Sequence, residues 1–349
     1  MSQINRIDGG LIDQEKVLNF TFNGQILKGY EGDTLASALL ANNKHLIGRS
    51  FKYHRPRGIV TAGSEEPNAI MEIGNRAYKD PNTRATVTQL YNGLEANSQN
   101  HRGPLSFDFM AITDFLSPLL GAGFYYKTFM WPKAFWEKFY EPAIRKSAGL
   151  GTLSTEADPD TYDKGFRHCD ILIIGAGVTG LSAALTAADT GAKIILADED
   201  FLMGGRLNSE TNKIDGMAGS EWAKKTVAKL DVMENVTLMS DTTVFGSYDH
   251  GIYGAIENRA SEAREDNDKP RQVNWRIYTK RAILCAGATE RLIAFGNNDR
   301  PGIMLASAVR TYLNRFAVAT GQRISVYTNN ADGWRTAKDL NTKGFRVTA

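Results

Sequence analysis

Gly175, Gly177 and Gly180 lie in the run GAGVTG, directly after an apolar stretch at residues 169–174 that only Asp170 interrupts. The segment LSAALTAADTGA that follows has its apolar residues at helical spacing, so the order is strand, glycine loop, helix. In such a turn Gly175 permits the tight bend, Gly177 lets backbone approach a diphosphate, and Gly180 lets the helix pack closely on the strand. The start of the helix, whose amides lack intrahelical partners, takes the diphosphate charge, and Ala176 belongs to the same candidate cradle.

A second strand over residues 193–197 ends in Asp198, which lies 23 residues after Gly175. A carboxylate there would accept both ribose hydroxyls and repel a 2′-phosphate. Asp200 joins the candidate set, and Gly204, Gly205 and Arg206 follow at a spacing similar to that of two-dinucleotide-binding-domain flavoproteins. The later run RAILCAGATER reads as a strand that ends on a glycine turn. A lone GxGxxG also serves as a plain turn between packed elements; strand, helix, acid and double glycine in order favour a nucleotide. Residues 236–248 read as strands, with Val244 where such folds hold adenine by a backbone amide and carbonyl; a plain core valine is the alternative.

Positioning these residues requires a chain with more than one core. The 349 residues are 42% hydrophobic and 23% charged, which predicts two or three domains. Basic and acidic residues number 41 and 39 and are interspersed, so no long-range field favours nucleic acid. His45, His54, His101, His168 and His250 show no metal-ligand spacing with each other or with Cys169 and Cys285, and no metal is expected. Two cysteines, one beside a strand start and one in an apolar run, suit buried thiols in a reducing compartment. The N-terminus has no apolar leader, and the longest apolar stretch, residues 171–188, is broken by glycines, so a cytoplasmic protein without a membrane span is expected.

Before the glycine loop, residues 17–22 alternate as a half-buried strand, Asn23-Gly24 is a hairpin turn, and residues 25–29 return. Asp33-Thr34 offers an N-cap to the helical run LASALLANN, and hairpin then helix opens a β-grasp domain. The basic loop GRSFKYHRPRG contains Arg55 and Arg57, which could hold a carboxylate or phosphate ligand; a structural salt bridge or an interface role is the favoured reading. Residues 105–144 are aromatic and broken by Pro118, Pro132 and Pro142, which predicts short helices over neighbouring surfaces. Residues 149–164 read as a linker and residues 260–271 as a solvated loop. Residues 323–349 read as strand, loop, helix and strand, so the sequence is expected to end inside a βαβ unit, as a fragment or truncated chain.

The segments EGDTLASALLANN, GRSFKYHRPRG and SEEPNA, followed by GAGVTG, resemble the N-terminal part of the alpha subunits of heterotetrameric sarcosine oxidases across nearly the whole chain. The resemblance implies an α/β protein: a ferredoxin-like β-grasp domain, then a Rossmann-type two-dinucleotide-binding-domain (FAD/NAD(P)-binding) fold, incomplete at its C-terminus. The expected division is a tail at residues 1–16, the β-grasp domain at 17–104, a connector and linker at 105–166, and the Rossmann-type domain at 167–349. In related amine and opine dehydrogenases the first domain carries a [2Fe–2S] cluster on four cysteines. Residues 1–168 contain no cysteine, so no iron–sulfur cluster is expected, and the domain is left as a packing or assembly module.

The resemblance further implies NAD on this chain, at Gly175, Gly177, Thr179 and Gly180, with Asp198 and Glu199 at the ribose and Arg206 near the phosphates. It implies an oxidoreductase in which sarcosine is oxidatively demethylated to glycine at a flavin on the beta subunit. FAD and FMN would sit on that partner subunit, and tetrahydrofolate, bound in a part beyond Ala349, would take the one-carbon unit. No catalytic residue is assigned to this chain. The alternatives are FAD here, as in an amine or opine dehydrogenase, or a non-catalytic nucleotide-binding assembly module; a disulfide reductase is excluded because no CxxC pair exists.

Overall fold

A computed structural model describes residues 3–124, 127, 129, 131–147, 149, 151–260 and 268–348. Within it the chain forms two units, Met1–Ala157 together with Glu290–Ala349, and Asp158–Thr289.

In the first unit, Asn23 and Gly24 both take positive φ, 49° and 76°, which is what a two-residue hairpin turn with the right twist demands. They join β1 (Asp13–Phe22) to β2 (Gln25–Glu31), with Phe22 opposite Gln25. Thr34 caps α1 (Leu35–Ala41): its side chain accepts from the Ser37 amide, and the Ser37 hydroxyl accepts from the Thr34 amide. Beyond it β3 (Ile70–Ile73), β4 (Asp80–Arg84) and β5 (Leu94–Ser98) complete a sheet of order β2-β1-β5-β3-β4. β1 and β5 run parallel, and α1 packs its apolar residues, Leu35 and Leu39 among them, into one core with Phe20, Met71 and Leu94. This is the expected β-grasp arrangement.

The basic loop closes on itself. Gly48–Arg49 pairs antiparallel with Pro56–Arg57, and Arg55 and Arg57 both bind Asp299, Arg55 Nε lying 2.7 Å from its carboxylate. The two guanidinium groups hold that carboxyl well below the usual carboxylate range, so their oxyanion is internal. Buried beside them, His54 Nδ1 meets Asp108 Oδ2 at 2.6 Å. The aromatic stretch forms helical turns such as Phe109–Ala111 and Ile112–Phe115, but Phe107, Phe109, Phe115 and Trp131 stay largely exposed. Turns this short present no continuous apolar stripe to a neighbour.

The second unit begins with β6 (Tyr162–Ile174), whose first residues lie in the expected linker. It is followed by α2 (Val178–Ala188), β7 (Ile194–Ala197), α3 (Gly219–Asp231), β8 (Val236–Met239), β9 (Thr242–Tyr248), β10 (Ile252–Asn258) and β11 (Gln272–Leu284). The sheet order is β8-β7-β6-β11-β10-β9. β6 and β11 pair in parallel from Tyr162↔Gln272 to Ile174↔Leu284, while β9 and β10 add an antiparallel edge. Successive residues of the central strands serve opposite faces. Ile173 and Leu196 meet Leu181, Ala184, Ala223 and Leu230 of α2 and α3, while Leu172 and Ile195 join Ala255 and Ile277 on the other face. Cys169 is buried in that second cluster and Cys285 is half-buried. Residues 261–267 of the expected solvated loop lie outside the described residues.

The C-terminal residues form α4 (Ala306–Asn314), β12 (Arg323–Ser325), α5 (Ala331–Thr342) and β13 (Arg346–Thr348), with β12 and β13 parallel. The helix between parallel strands matches the sequence, but the segment packs with the N-terminal unit, whereas residues 167–349 were expected to form one domain. Tyr312 and Phe316 are fully buried in the β-grasp core, and the Tyr312 hydroxyl donates to the Thr61 carbonyl at 2.8 Å. Among the described residues, no helix is long and apolar enough to cross a membrane.

Candidate functional site

β6 delivers the chain to Gly175, whose φ of +99° belongs to a region that L side chains avoid. Its amide donates to the Ala197 carbonyl at 2.8 Å, and a Cβ there would lie 2.5 Å from the Cys285 carbonyl oxygen. Glycine is therefore needed both for the bend and for the approach of the segment after β11. At Gly180 a Cβ would stand 1.8 Å from the Gly175 carbonyl oxygen, so close packing of α2 on the loop depends on its absence.

Gly177 differs from both. A Cβ there would meet no protein atom within 4 Å, and Gly177 is the N-cap of α2 with no side-chain hydrogen bond to the helix start. The loop thus leaves space in front of a helix terminus whose positive end favours an anion. Gly204 and Gly205, at φ +135° and +52°, turn against this loop. The Gly204 amide donates to the Ala176 carbonyl at 2.9 Å, and a Cβ on Gly205 would come within 3.0 Å of Gly177 Cα.

Asp198 is buried at the end of β7 and accepts from the Ala176 amide at 2.5 Å and the Asp200 amide at 2.9 Å. Burial pushes its carboxyl above the ordinary value against the pull of those two amides. Its backbone carbonyl accepts from the Thr242 amide at 2.8 Å, which fixes the start of β9. Glu199 is exposed, and Asp200 is half-buried with its carboxylate accepting from the Leu202 amide at 3.0 Å. Thr179 is exposed on the first turn of α2. Val244 is half-buried, pairs with Ala255 and packs against the second core, just before a register shift in the β9–β10 ladder. Arg206 is exposed and pairs with Glu210 at 2.9 Å.

Contacts therefore bring Gly175, Ala176, Gly177, Gly180, Asp198, Gly204 and Gly205 together, while Arg206 is engaged with Glu210 and Val244 with the core. Sequence reading missed Asp241, in the bend between β8 and β9 at φ 47°. Its carboxyl is pushed up to about 6 by burial and then by the charges of Asp200 and Glu257. The only local signal was an Asp between two strands, a residue type that tolerates left-handed backbone. The assembled groups are amides and a carboxylate, which bind and orient rather than cleave.

The model of the 2Fe-2S iron-sulfur cluster binding domain matches residues 15–101, and that of the FAD dependent oxidoreductase family matches residues 170–274. Over 97% of its length the chain is 53% identical to the sarcosine oxidase subunit alpha of Rhizobium meliloti (strain 1021), covering 34% of that protein. It is 35% identical over 96% of its length to the same subunit from Corynebacterium sp. (strain U-96), covering 30% of it. Among solved structures, the L-proline dehydrogenase of P. horikoshii superposes with a TM-score of 0.64 at 20% identity, over all of this chain and 55% of the other, a likeness of fold. The chain spans about a third of the length of the two sarcosine oxidase subunits. A ferredoxin-like domain and a Rossmann-type FAD/NAD(P)-binding fold follow one another here as in the sequence reading. On residues 3–348 as described, and on identity sustained along nearly its whole length, the chain belongs to the sarcosine oxidase alpha-subunit family.

Proposed function

We propose that this chain is an adenine-dinucleotide-binding part of a sarcosine-oxidising assembly, with NAD in the cradle of residues 175–180. The observation that carries the reading is Gly177, which faces open space at an uncapped helix start while its glycine neighbours are packed tight. Gly175, Ala176, Gly177, Thr179 and Gly180 hold the diphosphate, and Arg206 lies near the phosphates. Gly204 and Gly205 support the loop, and the backbone of Val244 serves the adenine. Asp198, with Glu199 and Asp200 at the same strand end, takes the ribose; a carboxylate has about four acceptor positions, and two are used by amides. Such a dinucleotide supplies two-electron transfer when bound.

In this reading sarcosine is demethylated at a flavin on a beta subunit, with FAD and FMN on that partner and tetrahydrofolate in a further part of the alpha subunit. This chain contributes binding and assembly, not a substrate base. Its two free cysteines, Cys169 and Cys285, suit the cytoplasm. A second reading, FAD in the same cradle, draws on the family match at residues 170–274.

The test is the absorption spectrum of the purified chain with mass analysis of the nucleotide released on denaturation, repeated for Asp198→Asn. NAD without visible flavin absorption, and less of it in the variant, is the expected outcome. FAD alone would replace the first reading by the second, and a chain that neither carries nor binds either dinucleotide would end both.

A further inference from the structure

Glu66 is 1% exposed, and its carboxylate is saturated by one loop of the β-grasp domain. Oε2 accepts from the Val60 amide at 3.0 Å, the Thr61 amide at 2.7 Å and the Thr61 hydroxyl at 3.1 Å. Oε1 accepts from the Asn68 amide at 2.8 Å and the Ala69 amide at 3.0 Å. Backbone amides that converge in this way form an anion-binding concavity, the feature by which proteins hold phosphates and iron–sulfur clusters. Here the anion is a side chain of the loop itself.

The family model over residues 15–101 describes a 2Fe-2S cluster domain, and such a cluster is held by cysteine thiolates, two at the least. No cysteine occurs among residues 1–168, and the loop amides at residues 60, 61, 68 and 69 are taken. The residues present do not fit the cluster. We propose that Glu66 is the resident anion of this domain: its carboxylate fills the amide cradle between residues 60 and 69, leaving a packing module that carries no electrons.

The cradle fastens more than one segment. Arg84 Nε donates to the Glu66 carbonyl at 3.1 Å, the Leu305 amide donates to the Val60 carbonyl at 2.9 Å, and Tyr312 reaches Thr61. A tethered carboxylate thus aligns the loop that receives the start of α4, with no metal required. The inference is independent of which nucleotide the second unit takes.

Glu66→Ala and Glu66→Gln in the full chain test it by thermal melting. Removing the acceptor leaves four amides without a partner, three buried and that of Asn68 half-buried, so Glu66→Ala should melt lower by on the order of 10 °C. Formate or acetate should restore most of that loss saturably, whereas chloride at equal ionic strength should not, and the wild type should show no such response. Glu66→Gln, which turns donors toward donors and blocks the space, should melt lower and resist rescue. Wild-type stability in Glu66→Gln, or a folded Glu66→Ala indifferent to carboxylates, overturns the proposal; if Glu66→Ala does not fold, the Gln variant decides. Anaerobic incubation of the wild type with iron and sulfide should leave its visible spectrum unchanged, and the bands of a 2Fe-2S cluster would also overturn it.

Discussion

At residues 60–69 four amides and the Thr61 hydroxyl converge on Glu66, whereas at residues 175–180 the glycines Gly175 and Gly180 are wedged against backbone and Gly177 is left bare. The first loop gathers amides around a negative charge, and in the proposed reading the second does so too. One carries its own carboxylate and is complete on folding; the other spends its carboxylate, Asp198, on a single loop amide and keeps the helix start uncapped. A cradle closed by the chain contributes stability at all times, while an open one contributes it only when a ligand arrives.

The contrast is broken most severely at Gly180. In Gly180→Val the added Cβ collides with the Gly175 carbonyl, so α2 must leave the strand. The loss should be about 3 kcal/mol of unfolding free energy, read by denaturant melts, together with all bound nucleotide. An unperturbed melt would show the loop to be looser than its geometry.

Gly177→Ala sharpens the same comparison, because its methyl group meets no protein atom within 4 Å. Nucleotide affinity should fall by about ten- to a hundredfold, or ~1.4–2.8 kcal/mol, with the melting temperature unchanged. Calorimetric titration beside a melt reads both; equal affinity in the variant would remove the diphosphate from this space.

Asp241 bears on the open side through pH. An acid whose folded pKa, about 6, exceeds its unfolded value of 3.8 binds more protons when folded, so between those values stability falls as pH rises. Asp241→Asn should raise stability above that window by about 1 kcal/mol, leave it nearly unchanged below, and flatten the slope between. Asn also tolerates the left-handed backbone there. A melt series across pH with an unaltered slope would contradict the assignment.

The smallest effect belongs to Arg206→Ala, whose exposed pair with Glu210 is worth about 0.5 kcal/mol or less. Nucleotide affinity should drop only a few-fold, and a loss as large as that of Gly177→Ala would place the guanidinium on the phosphates.

What was legible in the sequence was local. Asn23-Gly24, the glycine loop and the double glycine each announce a backbone conformation that few other residues adopt, Thr34 announces a capping side chain, and the structure has them where they were read. What was not legible depends on partners far along the chain. Tyr162 to Lys164 look like linker until Gln272, Val273 and Asn274 supply the ladder. Glu66 looks like one acid in SEEPNA until the amides on both sides fold onto it. Arg55 and Arg57 could have served a ligand, and only the return of Asp299 shows that they serve the protein.

Because Leu305, Tyr312 and Phe316 seal the first core, that core cannot be finished while the ribosome is still making residues 158–289. The nascent β-grasp segment must wait, with its apolar interior partly uncovered, through the synthesis of an entire second unit. Long-range closure of this kind slows folding and exposes the waiting segment to aggregation and proteases. Expression of residues 1–157 alone would prolong that vulnerable interval indefinitely.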